Sequence, residues 1–458
     1  MEVLEKVNAV VWGVPTLLLI LGVGIYLTIC NRFPQIVLFP AALRDFIEKC
    51  KPGKNLNNGK SSYRALCTAL AATVGTGNIA GVAGAITVGG PGAVFWMWLS
   101  AFLGMATKYA EATLAVHYRI EDTNGGYTGG PMYMIYRGLN KKWHFLAILY
   151  CIFGVIAALG VGNATQVNAV IGGIHSGAAA VGITMDRFWD LIIGFILCIM
   201  VGFVLLGGSE KIASVAEAIV PFASVFYIVM ALWLIIVCRE NLPDAFVSIF
   251  YGAFNPQAVT GGVIGSMFVV IRTGASRGVF TNEAGMGTAS IAHAGADVSH
   301  PCQQGLMGIM EVFIDTILIC TLTALVILTS GIPIPYGFEY GPCVTIDAFT
   351  AICGKWICIP LALCLCAFAI ATIFGWGLYG LRCAQFLFGK NAWRLFSIIQ
   401  SASVILGVVL GTGAVWILAE IVNALMAIPN LIALIGLSQE LGKLTEQFKA
   451  QYSKYPTT

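Results

Sequence analysis

Two short stretches of this chain carry residue types that can hold a small charged ligand without a metal or a nucleophile. The first reads Thr73-Val74-Gly75-Thr76-Gly77-Asn78-Ile79-Ala80-Gly81. The second reads Arg272-Thr273-Gly274-Ala275-Ser276-Arg277-Gly278 and continues through Phe280-Thr281-Asn282-Glu283-Ala284-Gly285-Met286-Gly287. Both set glycines beside hydroxyl and amide side chains in the centre of an apolar run. Glycine lowers helix stability. A helix that unwinds there frees N–H and C=O groups, which apolar surroundings tolerate only when a ligand, ion, water or protein group satisfies them. The N-terminal end of a half-helix offers donors and a positive dipole end to a carboxylate, and freed carbonyls suit a hard cation such as sodium. Glycines used only for close helix crossing would account for Gly77 and Gly81, but not for Asn78, Arg277, Asn282 and Glu283 in the same regions.

The other reactive side chains do not assemble into an enzyme. The five histidines follow no metal-binding spacing; His293 and His300 flank Asp297 in an expected short loop, without a zinc pattern. There is no H-E-x-x-H and no P-loop. The 14 cysteines form no C-x-x-C pair and read as small packing residues. Cys343 and Cys353 share an expected external loop, and no disulfide is expected there. Lys108 and Glu111, three apart, read as an ion pair near a helix end. Glu311 and Asp315, four apart, are expected to line either a cation path or gating network, or a water-facing vestibule. Arg277 and Glu283 lie deeper and need partners; a structural or gating network is expected for them rather than ligand contact.

The elements that must position these residues follow from composition. Hydrophobic residues make up 58% of the 458 positions and charged residues only 10%, against about a quarter charged in soluble domains. No polar block is long enough for a separate soluble domain, so one membrane domain over 1–458 is expected. A bilayer span needs about 20 apolar residues. That window predicts about eleven membrane helices, near 8–29, 64–89, 92–116, 145–173, 188–207, 213–238, 259–294, 304–330, 356–383, 394–411 and 414–436, with a break inside 259–294. The first run lacks a basic leader and a cleavage site and reads as a retained helix. With the N-terminus outside, most basic residues fall on cytoplasmic segments. Only Lys6, Arg187, Arg239 and Lys355 fall outside, and Arg272 and Arg277 lie within a helix. The 437–458 segment is then a cytoplasmic tail. Setting aside the first helix, 62–238 and 259–436 are of nearly equal length. An odd number of helices in each half makes the second half an inverted copy of the first, a common transporter plan. The paired glycine-rich breaks fall in the first helix of each half. A channel would need a polar stripe through the membrane, and the chain has one central polar cluster instead. Nothing points to a nucleic-acid partner; the basic face fits the lipid bilayer.

At these residues the chain resembles the alanine or glycine:cation symporter family, amino-acid transporters of LeuT-type fold. The longest stretches are TVGTGNIAGVAGAITVGGPGAVFWMWLSAFLGMATKYAEATLAVHYR (73–119) and RGVFTNEAGMGTASIAHAGA (277–296), with support from GGPMY (129–133), VFIDT (312–316) and NALMAIPNLIAL (423–434). The resemblance implies an all-α fold with an added N-terminal helix before a five-plus-five inverted repeat. It implies uptake of alanine or glycine coupled to sodium, less often to protons, through the cell membrane by alternating access, with no organic cofactor. A glutamine-carrying relative is the alternative. It also implies roles. The N–H groups of Thr76 and Gly77 meet the substrate carboxylate, and carbonyls of Thr73 and of Gly278, Phe280, Thr281 and Asn282 meet the ammonium. Asn78 in the first break, Gln166 and Trp376 line the pocket. Thr372 gives sodium a hydroxyl, with Ala71 and Val74 supplying facing carbonyls. Trp376 and Phe280 beside the bound Cα are expected to leave room for little beyond a methyl. The chain departs from the family pattern at Gly377-Leu378-Tyr379-Gly380-Leu381, where a polar or acidic run is usual, at Gln303 in place of arginine, and at Ala371 in place of a second hydroxyl before Thr372.

Overall fold

A computed structural model describes residues 2–51, 57–122, 126–338, 343–409 and 412–454. Among them the backbone is helical apart from turns, connecting segments and one short ribbon, Ile120–Glu121 paired with Tyr127–Thr128. Helices satisfy their own backbone groups, which a chain this apolar requires in lipid. The helices used below are α1 (Val14–Cys30), α2 (Phe39–Cys50), α3 (Asn57–Thr73), α4 (Ala80–Gly89), α5 (Ala93–His117), α6 (Phe145–Leu159), α7 (Thr165–Ala180), α8 (Arg187–Leu205) and α9 (Gly208–Val237). The later part of the chain gives α10 (Met267–Asn282), α11 (Thr288–His293), α12 (Pro301–Val312), α13 (Thr321–Thr329), α14 (Cys358–Phe388), α15 (Ala392–Val409), α16 (Thr412–Gly436) and α17 (Ser438–Lys454).

Among the described residues, six helices are long and apolar enough to cross a membrane, and eight if each of two bent pairs counts as one span. The chain is a multi-pass membrane protein. The remaining expected spans are helical but less apolar or shorter. The 8–29 run is divided, with a helix over Glu2–Val11 and then α1 after Trp12 and Gly13. α5 is long but holds Lys108 and Glu111 fully buried. The expected 259–294 span starts later and breaks later: α10 begins at Met267 and runs unbroken through Gly274 and Gly278 to Asn282. The expected 437–458 tail is largely the helix α17, bent 61° from α16. It is docked through Leu441, Leu444 and Phe448, and its Thr445 hydroxyl lies 3.0 Å from that of Tyr109 on α5.

Two features organise the interior. The broken pair α3/α4 bends by 59°, and the broken pair α10/α11 runs the opposite way. A Cβ on Gly89, at the end of α4, would lie 3.0 Å from Thr273 near the start of α10. Around them α12 packs on α5, α14 on α6 and α7, and α15 on α8. Close approach at these crossings depends on missing side chains. A Cβ on Gly375 of α14 would sit 2.8 Å from the Ala72 backbone nitrogen.

Candidate functional site

The first break begins where the α-helical ladder stops. Val74 N–H still donates to Leu70 at 2.8 Å. The next donor, Gly75 N–H, turns instead to Asn78 Oδ1 at 2.8 Å, and Thr76–Asn78 forms a single tight turn before α4 starts. The carbonyls of Ala71, Ala72, Thr73 and Val74 are thereby left without ladder partners, and so are the N–H groups of Thr76 and Gly77. Gly75 is needed for close approach: a Cβ there would lie 2.7 Å from Thr372 Oγ1.

The second break starts at Glu283, which adopts a left-handed conformation with φ of 54°, uncommon for a side chain of this size. Gly285 and Gly287 follow with φ of 95° and 76°. Glu111 on α5 stabilises this turn. Its Oε1 accepts from Gly285 N and Gly287 N at 3.0 Å each and from Asn430 Nδ2 at 2.7 Å. Asn430 also donates to the Gly285 carbonyl at 2.9 Å. The carbonyls of Phe280, Thr281 and Asn282 lie beyond the last ladder bond, Glu283 N–H to Val279 at 2.8 Å.

Between the two breaks lies a cavity of about 30 Å³, room for two or three waters on the scale of about 10–15 Å³ each. Of the residues singled out in the sequence, Thr73, Thr76, Gly77, Gln166, Phe280, Thr281, Thr372 and Trp376 line it. So do Ala72, Gly75, Val161, Thr165, Glu283 and Asn423. Gln166 accepts from the Thr76 hydroxyl at 3.3 Å and donates to the Val161 carbonyl at 3.2 Å. Trp376 is fully buried and donates from Nε1 to Glu283 Oε1 at 3.0 Å. Its Cβ packs so closely on Gly162 that any side chain there would displace it. Gly162 belongs to a π-helical turn over Gly160–Ala164, a distortion common at functional sites.

Several expectations need correction. Asn78 does not face the cavity. Its Nδ2 donates to Asp315 Oδ1 at 2.7 Å and to the Asp315 carbonyl at 3.0 Å. Asn282 donates to Thr316 Oγ1 at 3.1 Å, and Thr316 donates to Asp315 Oδ2 at 2.7 Å. The two asparagines thus tie the breaks together through a second π-helical turn, Phe313–Cys320. Gly278 packs against Met97 and Ser100 of α5 and does not line the cavity. Ala71 and Val74 also lie behind the wall, which Ala72, Thr73 and Gly75 form, although their carbonyls are free for an ion. Lys108 pairs with Glu311 at 3.0 Å rather than with Glu111, both ends fully buried. Glu311 and Asp315 are buried, so neither lines a vestibule. His293 is not on a loop but buried at the end of α11, 2.9 Å from Glu311 Oε2. Glu283 lines the cavity itself rather than standing behind it. Residue types signalled the buried acids. Their partners, on helices up to 319 positions away in sequence, as Asn430 is from Glu111, left no such signal.

Vestibules lie beyond the cavity at both ends of the broken helices. One, of about 380 Å³, is lined by Asn8, Trp12, Val88, Arg272, Arg277 and Glu420, and Phe280 separates it from the cavity, lining both. The other, of about 710 Å³, opens at the far ends, between Ser61–Thr68 and Ile291–Gly295. It shares no lining residue with the cavity.

Known proteins with this arrangement are transporters. The chain is 41% identical over 454 residues to the sodium/alanine symporter AgcS of Methanococcus maripaludis, covering 98% of this chain and 97% of that one. It is 42% identical over 459 residues to an uncharacterized transporter of Haemophilus influenzae, covering 98% and 96%. The crystal structure of MhsT in complex with L-phenylalanine, a LeuT-type transporter, superposes with a TM-score of 0.61 over 83% of this chain and 93% of that one, at 13% identity. The fold is therefore of LeuT type. The sequence model of the sodium:alanine symporter family matches residues 1–457, and the chain belongs to that family.

Proposed function

We propose that this protein imports alanine or glycine with sodium by alternating access, binding both at the cavity between the two breaks. The observation that carries the reading is the position of that cavity. It lies where two antiparallel helices lose their backbone hydrogen bonds, with a vestibule toward each end. The free N–H groups of Thr76 and Gly77 suit a carboxylate. The free carbonyls of Thr73 and of Phe280, Thr281 and Asn282, at two helix C-termini, suit an ammonium. Thr372 Oγ1, facing Gly75, and the free carbonyls of Ala71 and Val74 would supply oxygen ligands of the kind a hard cation takes. The small volume favours a short side chain. Phe280 would close the site toward the vestibule that contains Arg272. That vestibule is outside on the topology set by the basic residues, with the C-terminus cytoplasmic.

Proteoliposomes holding the purified protein test this directly. Labelled alanine should accumulate when a sodium gradient is imposed and stay at background without one. Accumulation driven by a proton gradient alone would move the coupling ion to H+. Strong competition by glutamine would move the substrate assignment to a glutamine carrier, and flux without saturation would indicate a channel.

A further inference from the structure

Glu283 is the one ionisable side chain among the cavity's lining residues. It is 3% exposed. Its two carboxylate oxygens each accept one bond from a neutral donor, Oε1 from Trp376 Nε1 at 3.0 Å and Oε2 from the Thr288 hydroxyl at 2.6 Å. A carboxylate offers about four acceptor positions, so acceptor capacity remains. Among the described residues no Lys, Arg or His nitrogen lies within 4.0 Å of it. Lys108, a buried cation on α5, is engaged by Glu311 at 3.0 Å. A buried charge is costly unless it is paired, and here the partner is missing on the side where a ligand would sit. The carbonyl ends of α3 and α10 add negative partial charge to the same cavity.

We propose that the Glu283 carboxylate is the fixed counter-charge of the substrate's ammonium group. It makes the site select for a cationic α-amino group over an isostere with a neutral hydroxyl in its place. The inference rests on the amino-acid reading of this cavity and adds a residue to it. Carbonyl oxygens favour an ammonium over a hydroxyl only through a charge–dipole bond; a full negative charge adds a charge–charge attraction that the hydroxyl lacks, and so widens the preference. The same carboxylate orients the Trp376 indole, so one residue sets the charge preference and supports the wall that limits side-chain size.

The test measures binding of alanine, L-lactate and alaninol to the purified protein by competition with labelled alanine in saturating sodium. In the unmodified protein, alaninol, which keeps the ammonium and lacks the carboxylate, should compete better than lactate, which lacks the ammonium. In Glu283→Gln the alanine-to-lactate affinity ratio should fall at least tenfold, on the scale of a charge-assisted hydrogen bond. Alanine should weaken and lactate should not. Leucine should still compete poorly, because the glutamine amide oxygen can go on accepting from Trp376. Thr288→Val, which removes a hydrogen bond but no charge, should leave the ratio unchanged. An unchanged ratio in Glu283→Gln, equal weakening of alanine and lactate, or lactate outcompeting alaninol in the unmodified protein would each overturn the proposal. The alaninol comparison stands even if Glu283→Gln does not fold. Absence of alanine binding in the unmodified protein would instead overturn the amino-acid reading beneath it.

Discussion

The hydroxyl of Thr372 and the bare backbone of Gly75 face each other at a distance that admits no methyl group. Thr372→Ala should raise the sodium concentration for half-maximal alanine uptake about fivefold, the scale of one lost oxygen ligand worth about 1 kcal/mol. Its ranking of competing amino acids should not change. An unaltered sodium activation curve would remove Thr372 from the ion site. Trp376 acts by shape. One methylene in an apolar pocket changes binding by only about 1–3 kcal/mol, so rejection of large side chains must be steric. Trp376→Ala should let leucine compete with labelled alanine while alanine itself binds more weakly, and a variant that still excludes leucine would contradict this. Asn78 was legible as important but not in its role. Its side chain braces Asp315, so Asn78→Ala should abolish transport by loosening the break rather than by removing a substrate contact. A fall in thermal stability alongside the loss of uptake distinguishes the two.

At the scale of elements, the second break is held from outside. Glu111 supplies the acceptor that three donors share, and a chain of largely buried bonds anchors the start of α3 and the end of α11. That chain runs from Lys108 to Glu311, His293 and Gln304, then to Ser62 on α3 and Lys49 on α2, with links of 2.6–3.0 Å. Removing one member of a buried pair leaves an uncompensated charge. Lys108→Met should therefore cost about 3–5 kcal/mol, and Lys108→Met with Glu311→Gln should recover part of it. Thermal unfolding in detergent measures both; a double variant as unstable as the single one would mean that the pair is not coupled. That these helices exist was readable from apolar length. That Lys108 reaches α12 rather than its own neighbour Glu111 was not, because spacing along one helix cannot report which helix packs across from it.

For the molecule as a whole, a central cavity with a vestibule toward each end predicts a carrier that opens one side at a time. Single cysteines replacing Ser276, beside Arg272 in one vestibule, and Thr68, in the other, should react with a membrane-impermeant maleimide from opposite faces. The protein used should have its exposed cysteines, Cys30, Cys50 and Cys343, replaced first. On the topology set by the basic residues, Ser276→Cys labels from outside, and sodium with alanine changes the two labelling rates in opposite directions. Labelling of both positions from the same face would contradict the alternating arrangement.

Composition and apolar length by themselves determined that this chain lives in a membrane as a bundle of helices. Paired glycine-rich stretches located two breaks, because a helix cannot hide unwound backbone in lipid without a use for it. Those are local properties, written in a few consecutive residues. The tertiary structure decided where the second helix unwinds. Gly278 has the composition of a break but packs against Met97 and Ser100, whereas Glu283–Gly287 unwinds because Glu111 and Asn430 receive its backbone groups. It also decided which polar side chains face the cavity. Asn78 and Asn282 turn away to Asp315 and Thr316, and Glu283 turns in. A buried polar group goes to whichever partner lies across the helix interface, and that partner is set by packing between segments far apart in the chain.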